Sequence, residues 1–241
     1  MTTAVYAIIF LVFIAIFTRE IIAPASKAHC DNRWLILAGS INVLQMSAAI
    51  AAGYFLHVAF AGHSIWNLSG SMSAPIAGGL TFLVASFVAY WWHRAMHKSP
   101  LLWRLFHQLH HSPSRIEALT AFYAHPFDSI AATLITCVVA YLGFGFDASA
   151  AAWAILYVSV FNLYIHSDTP SPRWLGYFIQ RPEMHRVHHQ IGHHAQNYSL
   201  PVWDLMFGTW SNPTNRVERC GFEEGQSAMV YDMLRGKDVS S

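Results

Sequence analysis

The stretch WWHRAMHKSPLLWRLFHQLHH, residues 91–111, decides how the rest of the chain must be arranged. It opens with an aromatic run at the end of an apolar segment and holds two dense histidine motifs, HxxxH at 93–97 and HxxHH at 107–111. A second HxxHH motif follows at 185–189. Side chains three and four residues apart lie on one helix face, so we expect each motif to aim its imidazoles at a common point.

The composition indicates a membrane protein. Of the 241 residues, 54% are hydrophobic and only 11% are charged, whereas soluble domains carry about 25% charged residues. The net charge of +1 gives no support to nucleic-acid binding. The three cysteines, Cys30, Cys137 and Cys220, are far apart. Such an odd, sparse set is interpreted as mostly buried thiols rather than a disulfide scaffold.

Five apolar segments approach the length of about 20 residues that a bilayer crossing needs. They cover approximately residues 5–23, 34–60, 74–92, 129–144 and 148–165. The first ends raggedly at Arg19 and Glu20, and a cleavable signal peptide is its alternative interpretation, although it lacks a basic start and a clear cleavage site. The last two are predicted to form a tight hairpin, either membrane-spanning or re-entrant.

Basic residues indicate the sidedness of these segments. All fourteen lysines and arginines lie in residues 18–33, 93–128 and 166–241, which the five segments place on one side. The positive-inside rule predicts that this side is the cytoplasm. We therefore expect a multi-pass, integral-membrane, all-α bundle of four to five apolar segments under a cytosolic, histidine-rich helical cap.

The chain is interpreted as one domain over residues 1–241, because it shows no internal repeat and no linker. The histidine motifs define a core at about 91–213. The segment 214–241 is polar, and we expect it to be a loosely packed tail.

The histidine content needs a chemical explanation, because fifteen histidines outnumber all lysines and arginines. Imidazole nitrogen is a good ligand for iron, zinc, copper and nickel. The eight histidines of the three motifs exceed the needs of one tetrahedral ion, so they predict two ions with several ligands each. Without metal, so many clustered imidazoles would titrate at low pH and leave polar groups unsatisfied.

Over about residues 91–213 the chain resembles the fatty acid hydroxylase/sterol desaturase superfamily. The resemblance is carried by WHRAMH at 92–97, LWR at 102–104, HQLHHS at 107–112, PEMHRVHH at 182–189, NY at 197–198 and WDLMFGT at 203–209. It implies a non-haem di-iron centre, O2 as co-substrate and an external electron donor. It also implies a four-helix membrane core, with no catalytic residue apart from the metal ligands.

Members of this superfamily use a further histidine between the second and third motifs, and His166 is the natural match. Its alternative interpretation is an interfacial side chain. The metal ligands are therefore predicted to be His93, His97, His107, His110, His111, His166, His185, His188 and His189. Asn162 lies one turn before His166, where some relatives carry another histidine, so one metal is expected to carry a water there.

Four residues near the histidine motifs in sequence, His125, His193, His194 and Asp204, keep two interpretations each. His125 is a support for a ligand or, slightly favoured, a turn residue. His193 and His194 follow the third motif in a glycine-containing turn and are interpreted as surface residues or supports. Asp204 either orients a ligating imidazole through its other nitrogen or caps a helix or pairs with an arginine. Ser199 departs from relatives, which commonly have glycine or a small acidic insertion there.

These patterns predict a di-iron monooxygenase that hydroxylates or desaturates a membrane-dissolved lipid. No flavin, nicotinamide or haem motif is present, so electrons are expected from a separate electron-transfer protein. Fatty acyl, sterol-like and carotenoid substrates all remain open, and a carotenoid ring hydroxylase is an alternative. More distant alternatives are a metal-binding membrane protein without turnover and a metal-dependent lipid hydrolase. A hydrolase needs a carboxylate base, for which only Glu117 and Glu183 lie near the motifs in sequence.

Overall fold

The computed structural model describes residues 2–25, 30–193, 195–223 and 225–240, which fold as an all-α protein. Their helices are α1 (Thr2–Ile22), α2 (Asn32–Phe60), α3 (Ala74–Lys98), α4 (Pro100–Leu102), α5 (Gln108–His111), α6 (Pro126–Cys137), α7 (Ala148–His166), α8 (Pro182–His188), α9 (Pro201–Met206) and α10 (Val230–Leu234). A π-helical segment, Trp103–His107, joins α4 to α5, and a second, Val138–Gly143, extends α6. Short 3-10 turns occur at Ala118–Phe122, Arg173–Tyr177 and Gln226–Ala228.

Five of these helices are long and apolar enough to cross a membrane, namely α1, α2, α3, α7 and α6 with its π-helical extension. They carry large apolar side chains on their outer faces, for example Leu11 at 65% exposed and Ile36 at 71%. Exposed apolar surface on this scale would be a liability in water and suits contact with lipid. The predicted all-α membrane bundle is therefore confirmed, and it contains all five segments.

The spanning helices pack in pairs that leave a cleft. The most extensive packing joins α3 with α7, α2 with α6, and α1 with α7. The α3–α7 approach requires a glycine, because a Cβ atom at Gly78 would lie 2.4 Å from the Cβ of Trp153. Since α1 packs on α7 rather than on α2, a cleft remains between the α1–α7 pair and the α2–α6 pair.

The polar C-terminal end of α1 is hydrogen-bonded to the cap. Glu20 is fully buried, and its carboxylate accepts hydrogen bonds from the backbone N–H groups of Ala118 at 3.0 Å and Asp168 at 2.7 Å. Val5 and Ile9 of α1 are buried among residues of α7 and the Ala118–Phe122 turn. These contacts join α1 to the rest of the bundle and to the cap.

The third span is longer than predicted. It was expected to end near residue 92, but α3 continues to Lys98 and carries His93 and His97 out of the apolar segment. Hydropathy marks where a helix leaves the lipid, whereas the helix itself ends only at Ser99, just before Pro100. The first histidine motif is thus held rigidly by a membrane-spanning helix.

The hairpin between α6 and α7 turns at Gly145, whose φ is +69°. A Cβ atom there would lie 2.7 Å from the carbonyl oxygen of Trp66, so both conformation and space require glycine. Asp147 then caps α7 by accepting a hydrogen bond from the N–H of Ala150 at 2.9 Å.

The prediction of a loosely packed tail is wrong. Met233 and Val239 are 0% and 6% exposed. They pack with Leu109 of the second histidine motif and with Trp103, which precedes that motif. The Gln108 side chain donates to the carbonyl of Lys237 at 2.6 Å and accepts from the N–H of Val239 at 3.2 Å. Scattered apolar residues in a polar segment give little periodic signal, so composition alone missed this packing.

Candidate metal centre

The nine histidines predicted as ligands converge inside the cap, but in two groups. The five-histidine group contains His93, His97, His107, His111 and His188. The four-histidine group contains His110, His166, His185 and His189. In each group, one ligand nitrogen per residue lies within 4.8 Å of all the others.

The expectation that each motif points at one place is wrong for the two HxxHH motifs. His185 and His189 share the four-histidine group, whereas His188 belongs to the five-histidine group. In the motif at 107–111 the assignment is reversed. His107 and His111 belong to the five-histidine group, and His110 belongs to the four-histidine group. Successive helical residues are rotated by about 100°, so adjacent histidines cannot face the same ion, while residues four apart can. Each HxxHH motif therefore contributes to both groups, whereas His93 and His97 of the HxxxH motif both belong to the five-histidine group.

The nitrogens that approach one another within each group are Nε2 atoms. In the five-histidine group, Nε2–Nε2 distances are 2.8 Å for His93–His107, 3.2 Å for His107–His111 and 3.1 Å for His111–His188. In the four-histidine group they are 3.1 Å for His110–His166, 2.9 Å for His166–His185 and 3.1 Å for His185–His189.

These spacings match neighbouring ligands of one ion. With metal–nitrogen bonds of about 2.1 Å, adjacent ligands lie about 3.0 Å apart at right angles and about 3.4 Å apart in a tetrahedron. The observed distances of 2.8–3.2 Å lie in the range that neighbouring ligands of one ion require.

Contacts to the opposite ring nitrogen fix how these imidazoles are protonated. Nδ1 of His93, His166 and His188 lies 2.7, 2.8 and 2.7 Å from the backbone carbonyls of Tyr198, Asn162 and Gln196, respectively. A carbonyl only accepts, so each Nδ1 donates its proton and the Nε2 lone pair points inward.

The Nε2 lone pairs that point into each histidine group need a cation to bind. Burial, reinforced by the neighbouring imidazoles, holds the pKa values of His111, His185 and His189 well below their ordinary range, so protons do not fill the centre. Neutral Nε2 atoms 3 Å apart would repel one another, and a metal ion in each group removes this repulsion. The residues therefore fit a pair of metal ions.

The sequence interpretation missed one carboxylate. Asp128, in the first turn of α6, lies with Oδ2 3.2 Å from Nδ1 of His107. A carboxylate behind a ligating imidazole fixes the ring and makes it a stronger ligand. The available signal was its position at the same end of the bundle as the three motifs, three residues after His125.

Replacing Asp128 with asparagine is expected to lower turnover about 10- to 100-fold, because this is the usual effect of losing such a carboxylate. Iron content and turnover of the purified variant would be measured together. Asp147→Asn is the matched control, since it makes the same change at the N-terminus of α7, at the opposite end of the bundle. Wild-type turnover and iron content in Asp128→Asn would remove Asp128 from any role in the centre.

His125 and His193 lie outside both groups. Nδ1 of His125 accepts the N–H of Phe127 at 3.1 Å and caps α6, as the favoured turn interpretation expects, and its Nε2 lies 3.3 Å from the carbonyl of Leu234. His193 is half-buried in the turn after the third motif. His194 lies outside the described residues.

Asp204 supports the histidines indirectly, through the backbone of the loop that contacts His93. Within the described ranges its carboxylate contacts no imidazole and is neither a helix cap nor an arginine partner. It accepts hydrogen bonds from the N–H groups of Tyr198 at 2.9 Å and Ser199 at 3.2 Å and from the hydroxyl of Thr209 at 2.7 Å. These bonds hold the loop whose Tyr198 carbonyl receives His93, and burial raises the pKa of Asp204 to about 6.

Asn162 contributes its backbone to the centre. Its carbonyl receives Nδ1 of His166, while its side-chain amide donates to the carbonyl of Ala121 at 2.6 Å. Ser199, the departure from relatives, donates its hydroxyl to the carbonyl of Ser86 on α3 at 3.0 Å. Ser199 thus ties the loop to a spanning helix without touching either histidine group.

Two adjoining cavities lie beside the histidines. The near cavity, of about 230 Å³, is lined by ligand candidates from both groups, including His93, His107, His110, His166 and His185. The far cavity, of about 580 Å³, occupies the cleft between the α1–α7 and α2–α6 pairs and has mainly apolar walls. The two share the lining residues Gln45, Ser129, Ala132, Thr136, Val158 and Asn162.

Apolar spanning helices, two converging histidine groups able to hold metal ions and an adjoining cavity define a multi-pass membrane protein with a candidate metal centre. The sequence profile described as "Fatty acid hydroxylase" matches residues 79–209, over half of the chain. The chain belongs to the fatty acid hydroxylase family, as the resemblance predicted.

Curated relatives act on several lipid classes. A sphingolipid C4-hydroxylase of Schizosaccharomyces pombe is 26% identical over 61% of this chain and 51% of its own length. An ornithine lipid hydroxylase of Rhizobium tropici is 28% identical over 70% and 54%, respectively. A methylsterol monooxygenase of Aspergillus fumigatus is 30% identical over 61% and 51%. The chain thus spans about half the length of these relatives, and no solved structure matches it.

Proposed function

We propose that this protein is an O2-dependent di-iron oxygenase that hydroxylates a C–H bond of a membrane-dissolved lipid. The observation that carries the proposal is the pair of histidine groups with Nε2 atoms at ligand spacing, directly beside a cavity that adjoins a second cavity between the spanning helices. Lipid hydroxylases and monooxygenases among the relatives support the same reaction class.

The family and its monooxygenase relatives support iron over zinc. Imidazole nitrogens are suitable ligands for iron, and the two groups offer five and four of them. Two such ions, when bound, supply activation of O2 for attack on an unactivated C–H bond.

The protein's own residues would orient the metal ligands and exclude bulk water from the site. Backbone carbonyls of Tyr198, Asn162 and Gln196 orient three ligands from outside. Phe82, Ala85 and Ile165 give the near cavity an apolar wall, so a hydrocarbon can approach the histidines while bulk water is excluded.

Hydrolysis is less well supported, because neither predicted base is available. Glu117 accepts a hydrogen bond from Nε1 of Trp34 and pairs with Arg115. Glu183 accepts from the backbone and hydroxyl of Ser171 and pairs with Arg181. Neither carboxylate contacts either histidine group.

A direct test of this proposal combines metal analysis with O2 consumption by the purified protein. The oxygenase proposal predicts iron and lipid-dependent O2 uptake. Bound zinc with release of fatty acid and no O2 uptake would instead identify a hydrolase. Bound metal with neither activity would identify a binding protein.

The cap is proposed to face the cytoplasm, where a separate electron-transfer protein would supply reducing equivalents. Reporter fusions at the exposed residues Ser69 and Ser114 are expected to report opposite compartments, with Ser114 cytoplasmic, because basic residues segregate to the cap side. A fusion at Gly145, in the hairpin turn, serves as a control and should match Ser69. The same compartment for Ser69 and Ser114 would contradict this topology.

A further inference from the structure

The two cavities meet at a pair of side-chain amides. Gln45 of α2 and Asn162 of α7 line both cavities, so they lie at the border between the far cavity and the near cavity beside the histidines. Around them the far cavity is walled by apolar residues such as Ile50, Ile155 and Val158. Polar amides in such a wall are costly unless they bond to something, which makes this border a candidate recognition point.

Both amides keep hydrogen-bonding capacity. Asn162 uses Nδ2 on the carbonyl of Ala121, and its Oδ1 has no partner among the described residues. In the same part of the chain, the Gln45 side chain makes no hydrogen bond, and only its backbone carbonyl is engaged, by the hydroxyl of Ser129. The pair therefore offers at least one donor and two acceptors to a ligand.

A third amide lies at the cap end of the near cavity. Gln180 is 1% exposed, and its Nε2 donates to the carbonyl of Asn197 at 2.5 Å. Its Oε1 is buried without a partner in the described residues, although Gln180 lines the near cavity. A buried, unpaired acceptor requires a donor, so the ligand's polar group should carry O–H or N–H.

The cavity charges indicate an uncharged ligand group. No lysine or arginine is among the described residues that line either cavity. The acidic lining residue, Asp128, already contacts His107. A phosphate, sulfate or carboxylate held at Gln45 and Asn162 would be desolvated with no lysine or arginine among the described lining residues to pair with it, at a large cost in free energy. The proposed metal ions are the cations of the near cavity, and the proposed function reserves them for O2.

The far cavity suits one long hydrocarbon chain. Its 580 Å³ holds about 15 to 20 methylenes if each takes roughly the 30 Å³ of a liquid water molecule. Its lining runs along α7 from Ala148 to Asn162, which is about 20 Å at 1.5 Å per residue. The space is thus long and narrow, as a single extended chain requires.

From these observations we infer that the substrate is a single-chain lipid with an uncharged hydroxyl or amide group. The far cavity takes the chain, and Gln45, Asn162 and Gln180 bind the polar group in the near cavity. This inference rests on the proposed function, and it places the oxidised carbon close to the polar group rather than at the chain's far end.

The test measures binding, so it does not depend on turnover. Purified metal-loaded protein would be exposed to 1-hexadecanol, hexadecane or hexadecyl phosphate, and bound probe would be counted by native mass spectrometry. We expect 1-hexadecanol to bind best. Gln45→Leu and Gln45→Met should weaken its binding about five- to tenfold, the usual effect of one lost hydrogen bond. Both replacements are apolar, so membrane insertion is preserved.

Thr133→Val is the matched control. It removes a hydroxyl that lines the far cavity but bonds to the carbonyl of Ser129 in its own helix, so binding should not change. Equal binding of hexadecane and 1-hexadecanol, preferred binding of hexadecyl phosphate, or wild-type binding in both Gln45 variants would overturn the inference. Selective 1-hexadecanol binding without oxidation of any lipid would instead count against the oxygenase proposal alone.

Discussion

Changing His110 or His188 to alanine is expected to lower turnover by about 100-fold or more and to reduce bound iron from about two ions per chain to about one. The two residues supply Nε2 to different groups, His110 to the four-histidine group and His188 to the five-histidine group. Loss of a ligand changes the chemistry of an ion and weakens its binding, and even indirect supports cost about 10- to 100-fold. One intact group should retain its ion in each variant.

Iron per chain and lipid-dependent O2 uptake would be measured on both variants. His125→Ala is the control. His125 is also buried, but it is the N-cap residue of α6 and lies outside both histidine groups. Retained activity in both His110→Ala and His188→Ala would remove these residues from the ligand set. Loss of both ions in each single variant would show that the two groups do not bind metal independently.

The second large effect is expected at His166, which the sequence connects to the centre only through the family resemblance. Its Nε2 lies 3.1 Å from that of His110 and 2.9 Å from that of His185, at the end of α7. His166→Ala leaves the four-histidine group with three imidazoles, so turnover should fall by about 100-fold or more. Expression and stability in detergent should change little, because the rest of the cap still binds metal.

Two histidines outside both groups give the comparison for His166. His193→Ala and His57→Ala should have much milder effects on turnover. His57 is exposed and lines the far cavity, so any effect there should concern lipid binding rather than iron. Similar, mild losses at all three positions would mean that His166 is not a metal ligand.

Local patterns made most of the fold predictable from sequence. Apolar runs of bilayer length located all five spanning helices, because lipid contact requires continuous hydrophobicity. The motif spacings and the resemblance selected the nine histidines that converge. Both signals reside in short stretches of chain, so they are visible without tertiary structure.

The division of the motifs and their supports depends on long-range geometry. Neither His188 nor His110 reveals its group from spacing alone, because the group is set by how α5 and α8 face each other across the centre. The contact of Asp128 with His107 joins residues from different helices. The carbonyl of Tyr198 reaches His93 across 105 positions in the chain. None of these has a periodic signature.

The account is tested most directly by oxygen-isotope labelling of the product. Cells expressing the protein would be grown under 18O2, and their lipids would be compared by mass spectrometry with those of cells expressing His188→Ala. We predict a lipid that gains one hydroxyl oxygen from 18O2 and carries an uncharged polar group near it, absent from the variant cells. A product that takes its new oxygen from water, or a labelled lipid that persists in the variant, would contradict the central claim.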